Sequence, residues 1–271
     1  MHALLSRHAG RALTGLVLAL VAAFVLAPGP LAAAGPGGGG LADQGRLSSS
    51  LRGAFLEYWR SGDRDLPPDL TRVVDFWFRY HVVKGAIAAL LLVALAGLGV
   101  VLYRRYLRPG RRAATVAAGV FVWLLGLLAL ATVMANVQGA VAPFASLLPI
   151  LASGAPDGPL ADALAQTRQR LAEGGHYPPA VQAMVADFGR YHEAMAVIAA
   201  VVAVALIAAS VLLWRRFALT ARSDVRARRG LRALGAASAL ASLAVLVVVV
   251  ANTTVAADPA PALLAFFDGG W

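Results

Sequence analysis

The sequence predicts an all-α integral membrane protein: a four-helix transmembrane bundle built from two parallel two-helix repeats. An N-terminal signal peptide or fifth helix and amphipathic outer-face helices complete it. Three observations carry this. Of 271 residues, 59% are hydrophobic and only 14% charged, against about a quarter charged in soluble domains. Four apolar runs, residues 82–102, 113–135, 194–214 and 231–251, each reach the roughly 20 residues that cross a bilayer core. Finally, Asp75-Phe76-Trp77-Phe78-Arg79-Tyr80-His81 returns as Asp187-Phe188-Gly189-Arg190-Tyr191-His192. In both copies an arginine pair, Arg104-Arg105 or Arg215-Arg216, begins 23 residues after the histidine. A second apolar run then ends in Asn136 or Asn252, and Pro143 or Pro259 stands seven residues beyond.

Residues 1–34 read as a signal peptide or signal anchor. Arg7 and Arg11 precede a 15-residue apolar stretch, residues 12–26, and Ala32-Ala33-Ala34 follows the helix breakers Pro28 and Pro30. This is the order of a charged region, an apolar region and a small-residue cleavage site. Residues 35–66 are expected to be an extracytoplasmic linker and an amphipathic helix. The glycines of residues 35–40 suggest flexible chain. Leu51, Phe55, Leu56 and Trp59 recur at helical spacing, with Ser49 or Ser50 as a cap.

Residues 67–151 form membrane repeat 1, residues 152–177 contain an extracytoplasmic helix over 159–173, and residues 178–271 form membrane repeat 2 with an outer tail. The pairs Pro67-Pro68 and Pro178-Pro179 mark helix starts, because proline suits a first turn. A helix beginning there runs through the Asp-Phe motif into the span.

Charge sets the orientation. The loops after the first and third spans, with the N-terminal arginines, hold 14 arginines and one acid, Asp224. The other side holds nine arginines and 13 acids. The positive-inside rule puts the basic loops in the cytoplasm and Trp271 outside. The formal charge of +10 is therefore a topogenic signal and not the footprint of a nucleic-acid protein. Both two-helix units cross out-to-in and then in-to-out, so they are parallel repeats about an axis along the membrane normal.

The chain has no cysteine, which excludes disulfides, thiolate metal sites and a cysteine nucleophile. No nucleophile elbow, phosphate loop or dinucleotide fingerprint points to an enzyme, and no cofactor is expected. The candidate binding residues cluster around the repeated motif: His81, His192, Arg79, Arg190, Asp75, Asp187, Lys84, Asn136 and Asn252. Two imidazoles at one depth are able to bind a metal or haem, or to cap the starts of two spans. Arg79 and Arg190 either hold an anion or pair with Asp75 and Asp187, at spacings of four and three. Lys84 lies one turn inside the first span, within snorkelling reach of the interface. Phe76, Trp77, Phe78, Tyr80, Phe188 and Tyr191 are expected in an interfacial aromatic belt.

The stretches Asp-Phe-Trp-Phe-Arg-Tyr-His, Ala-Asn-Val-Gln-Gly-Ala-Val-Ala-Pro-Phe and the ending Phe-Phe-Asp-Gly-Gly-Trp resemble a family of uncharacterised actinobacterial multi-pass membrane proteins, often labelled by a twin-arginine signal sequence. The resemblance runs from about residue 41 to the end. It implies the membrane architecture and an exported start, and no activity. The function expected is that of a non-enzymatic plasma-membrane protein acting as a binding or assembly partner through its extracytoplasmic segments. The partners are the lipid bilayer and other membrane or cell-envelope proteins. A solute or ion transport component with a site between the repeats is the alternative, and a haem or metal protein using the histidine pair is the third. Four spans are few for a transport core, which leaves room for a homodimer.

Overall fold

The computed structural model describes residues 2–108, 112–154 and 157–270. Arg111 of the first basic loop and Trp271 lie outside the described residues. Among these residues ten helices follow in order: α1 (His2–Leu26), α2 (Pro28–Ala33), α3 (Gln44–Ser61), α4 (Pro68–Tyr106), α5 (Arg112–Val141), α6 (Pro143–Ala152), α7 (Gly158–Glu173), α8 (Pro179–Leu219), α9 (Val225–Ala257) and α10 (Pro259–Phe267). From α3 onward, one order of helix types occurs twice. An amphipathic helix is followed by a very long helix, a second long apolar helix, and a short helix that opens on proline. Among the described residues, five helices are long and apolar enough to cross a membrane: α1 over His8–Leu26, α4, α5 over Ala113–Val141, α8 and α9.

At 39 and 41 residues, α4 and α8 are about 60 Å long, roughly twice a hydrocarbon core. The surplus is explained by how the chain divides. Two compact units emerge, one from Met1–Phe24, Ala86–Met134 and Ala196–Ala251, the other from Val25–Gly85, Ala135–Met195 and Asn252–Trp271. Each long helix contributes one stretch to each unit.

The first unit is apolar on its outside. Val93, Val201, Val204, Leu240 and Val247 are all at least 65% exposed, as hydrocarbon-facing positions must be. Inside it, Val17 of α1 packs with Ala94 and Leu95 of α4 and Val122 and Ala129 of α5. Helices α8 and α9 meet through serines. Ser210 donates to the Gly235 carbonyl at 3.0 Å and Ser238 to the Leu206 carbonyl at 2.9 Å. Polar hydroxyls satisfied across a helix pair hold it together where burial of apolar surface gives no drive.

The second unit folds like a soluble domain. Apolar stripes from α3 (Leu51, Phe55, Tyr58), α4 (Leu70, Val73, Phe76), α6 (Leu147, Leu148, Leu151), α7 (Leu160, Leu164, Leu171) and α8 (Val181, Met184, Phe188) form one core. Their three- and four-residue spacing puts each set on one helix face. Helix α7 packs against α3 and α10, and α3 also packs against α6. Tyr58 is buried and donates to the Ala180 carbonyl at 2.9 Å. Burial holds its phenol above the ordinary tyrosine range.

Three sequence expectations change here. Helix α3 is capped by Asp43, whose carboxylate accepts from the Arg46 amide at 2.9 Å. Ser49 and Ser50 are inside the helix, and Ser49 donates back to the Arg46 carbonyl. The glycine-rich stretch is a chain of tight turns, with amide-to-carbonyl bonds from Gly38 to Gly35, Leu41 to Gly38 and Asp43 to Gly40. Gly37 and Gly40 adopt positive φ there, so the glycines serve turn geometry and not flexibility. Phe76 and Phe188 are core residues, not lipid-facing belt residues.

Phe55→Ala is predicted to lower stability by about 3–5 kcal/mol, read as a large drop in the melting temperature of the full chain in detergent. Val93→Ala, at an exposed apolar position, is predicted to change it little. Equal shifts would contradict the core assignment.

Candidate functional site

All nine residues singled out in the sequence lie in the second unit. The two histidines make the same bond. His81 Nδ1 lies 3.1 Å from Asn136 Oδ1, and His192 Nδ1 lies 2.9 Å from Asn252 Oδ1. The amide oxygen only accepts, so Nδ1 carries the proton and donates. Each bond ties a long helix to the next one, α4 to α5 and α8 to α9. Asn136 is 5% exposed, so its amide would be costly to bury without partners.

Around this common bond the two copies differ. His81 Nε2 faces Ser146 Oγ at 3.4 Å. That hydroxyl donates to the Pro143 carbonyl at 2.9 Å and accepts from Trp77 Nε1 at 2.8 Å. Its proton is committed to the shorter bond, so the serine borders Nε2 without donating to it. The His81 ring also lies against the backbone of Gly139, where a Cβ would sit 2.5 Å from ring atoms. In the second copy Phe188 stands four residues before the histidine, as Trp77 does in the first, and packs edge-on against it; Ala262 replaces the serine and Val255 replaces Gly139. Gly189 instead lets Pro259 approach to 3.2 Å of where its Cβ would be.

The aspartates and arginines also part ways. Asp187 accepts from the Ala145 amide at 2.8 Å and pairs with Arg190 at 3.3 Å. Ala145 is the third residue of α6, whose N-cap is Ala142 and has no capping side chain. Asp187 thus caps a helix of the other copy from outside, supplying the carboxylate that the helix start lacks. The corresponding position in α10 is Pro261, which has no N–H to offer. Asp75 is accordingly exposed. The expected Asp75–Arg79 pair does not form among the described residues. Arg79 donates to the carbonyls of Ala32 at 3.1 Å and Pro36 at 3.0 Å, fastening the glycine turns to α4. The first of these carbonyls lies in the last turn of α2 and the second in the glycine-rich turns that follow it. Lys84 donates to the Tyr80 hydroxyl at 3.0 Å and lies 5.0 Å over its ring.

A groove of about 390 Å³ in this unit is lined by Leu56, Trp59 and Arg60 of α3 and Pro159, Asp162, Ala163 and Gln166 of α7. Among the described residues no group of three metal-ligating side chains is assembled.

Sequence reading missed Gln138, which is buried and donates to the Tyr191 carbonyl at 3.1 Å. It also missed Ser146, Gly139 and the groove. One signal was available: Pro143 opens a helix after Ala142, which cannot cap, so an outside acceptor is needed. The others depend on which helices meet, which no local pattern encodes.

Fold and site together define an all-helical multi-pass membrane protein with a second, soluble-like unit clasped by paired histidine–asparagine bonds. No family model matches the chain, and no curated protein or solved structure does so.

Asp187→Ala is predicted to destabilise by about 1–2 kcal/mol through loss of the helix cap. Asp75→Ala, at the matching motif position, is predicted to stay within about 0.5 kcal/mol. Thermal melts of the two variants that shifted alike would refute the asymmetric role.

Proposed function

We propose that the chain is a non-enzymatic multi-pass protein of the bacterial plasma membrane. Its second unit lies outside the cell and acts as a binding or assembly head for other envelope proteins. The distribution of arginines supports that orientation, since the basic loops belong to the first unit and nearly all acids to the second. The resemblance to actinobacterial membrane proteins supports the bacterial setting.

The α3–α7 groove carries the binding reading. It collects an indole, a guanidinium, a carboxylate and an amide on one concave surface, with Trp59 Nε1 held by Gln166 Oε1 at 3.2 Å. Tryptophan and arginine in a pocket are the residue types that dominate protein recognition. The motif residues, by contrast, are spent on joining helices. That favours the groove over the motif as the place where a partner docks.

The absence of cysteine makes the test direct. A lone cysteine at Gln166 should react with a membrane-impermeant thiol reagent on intact cells, and one at Ser223 only after permeabilisation. A photocrosslinker on the Gln166 cysteine should then capture a discrete envelope protein, with capture lost in Trp59→Ala. Reversed labelling would sink the orientation. Capture indifferent to Trp59→Ala, or equal to that from exposed Val93, would sink the groove.

A further inference from the structure

The first unit gathers its arginines at one end in a way that insertion signals alone do not require. Tyr103 and Tyr106 of α4, with ring centroids 6.4 Å apart, lie over the backbone of Gly230 of α9. A Cβ there would sit 3.1 and 3.2 Å from the two rings. Arg226 donates to the Leu107 carbonyl at 3.0 Å, tying the start of α9 to the end of α4. Arg228 donates to the carbonyls of Phe217 and Thr220 at 3.0 and 2.8 Å and covers the Phe217 ring at 4.1 Å. The ends of α4 and α8 and the start of α9 therefore converge.

Two classes of arginine result. Arg226 and Arg228 are half-buried and donate to carbonyls at or just past helix ends. Arg104, Arg215, Arg216, Arg222, Arg229 and Arg232 are exposed around them and form no salt bridge among the described residues. Asp224 is the one acid in their midst. Tyr103, Tyr106 and Trp214 share this end with them, and Trp214 packs against the backbone of Gly235. Tyrosine and tryptophan mark the headgroup level of a bilayer. Guanidinium forks at that level match phosphate in charge and geometry.

We propose that this arginine-ringed end of the first unit is a binding surface for anionic phospholipid headgroups. The bound group is the phosphodiester of a lipid in the same membrane. The proposal rests on reading these helices as membrane spans and is independent of which side they face. Retention of the chain in carbonate-washed membranes reports that underlying reading separately.

The test uses the full chain in a zwitterionic detergent, with melting temperature followed as dioctanoyl phosphatidylglycerol, dioctanoyl phosphatidylcholine or inorganic phosphate is added. Phosphatidylglycerol should stabilise, and the other two should not. The double variant Arg104→Gln, Arg229→Gln should weaken the apparent affinity roughly fivefold per arginine removed. Arg64→Gln, Arg170→Gln, an equal loss of charge in the second unit, should leave it unchanged. Equal effects of the two lipids, reproduction by phosphate, or equal losses in both variants would each overturn the proposal. Should the first variant fail to fold, the wild-type response decides. Stabilisation by phosphatidylglycerol must collapse in about 1 M salt, where screening acts within about 3 Å, and a salt-indifferent effect overturns the proposal.

Discussion

The second unit depends on a hydrogen bond made twice, from a histidine Nδ1 to an asparagine Oδ1. Each bond joins two successive long helices within the second unit. The core beside it is built of apolar stripes, which pack in more than one register, whereas a polar pair is satisfied in one. A buried amide left unmet there would cost more than the bond contributes, so the pair fixes register as well as adding stability.

The rest of the motif follows from the same accounting of polar groups. Arg79 meets a carbonyl at the end of α2 and another in the turns after it, Asp187 meets an amide at the start of α6, and Gln138 meets the Tyr191 carbonyl. What looks from sequence like a ring of reactive groups is a set of structural bonds that join helices and meet their backbone groups. The two copies solve different local problems because their short helices differ: α6 offers an amide at its third residue, and α10 offers proline.

Much of this was legible in the sequence. The apolar runs marked the long helices, and Pro68 and Pro179 stand where α4 and α8 begin, because proline's fixed φ and missing N–H suit a first turn. The motif residues were recognised as special, and the one-residue difference between the copies foreshadowed unlike roles for the aspartates. The cap of α3 was misplaced because serine and aspartate compete for that role, and only the turns before Asp43 decide it. The partners of Arg79 and Tyr58 were invisible because they are backbone carbonyls distant in sequence. The groove arises from α3 meeting α7, two amphipathic helices whose partner faces no spacing rule assigns.

The most direct test of the clasp is a double-mutant cycle on the full chain, using His192→Phe and Asn252→Leu singly and together, with unfolding followed in detergent. A bond that holds α8 to α9 predicts a coupling energy of about 1 kcal/mol, so that the second substitution costs less once the first is made. Strict additivity would mean that the two side chains do not support each other, and the account of the second unit would fail.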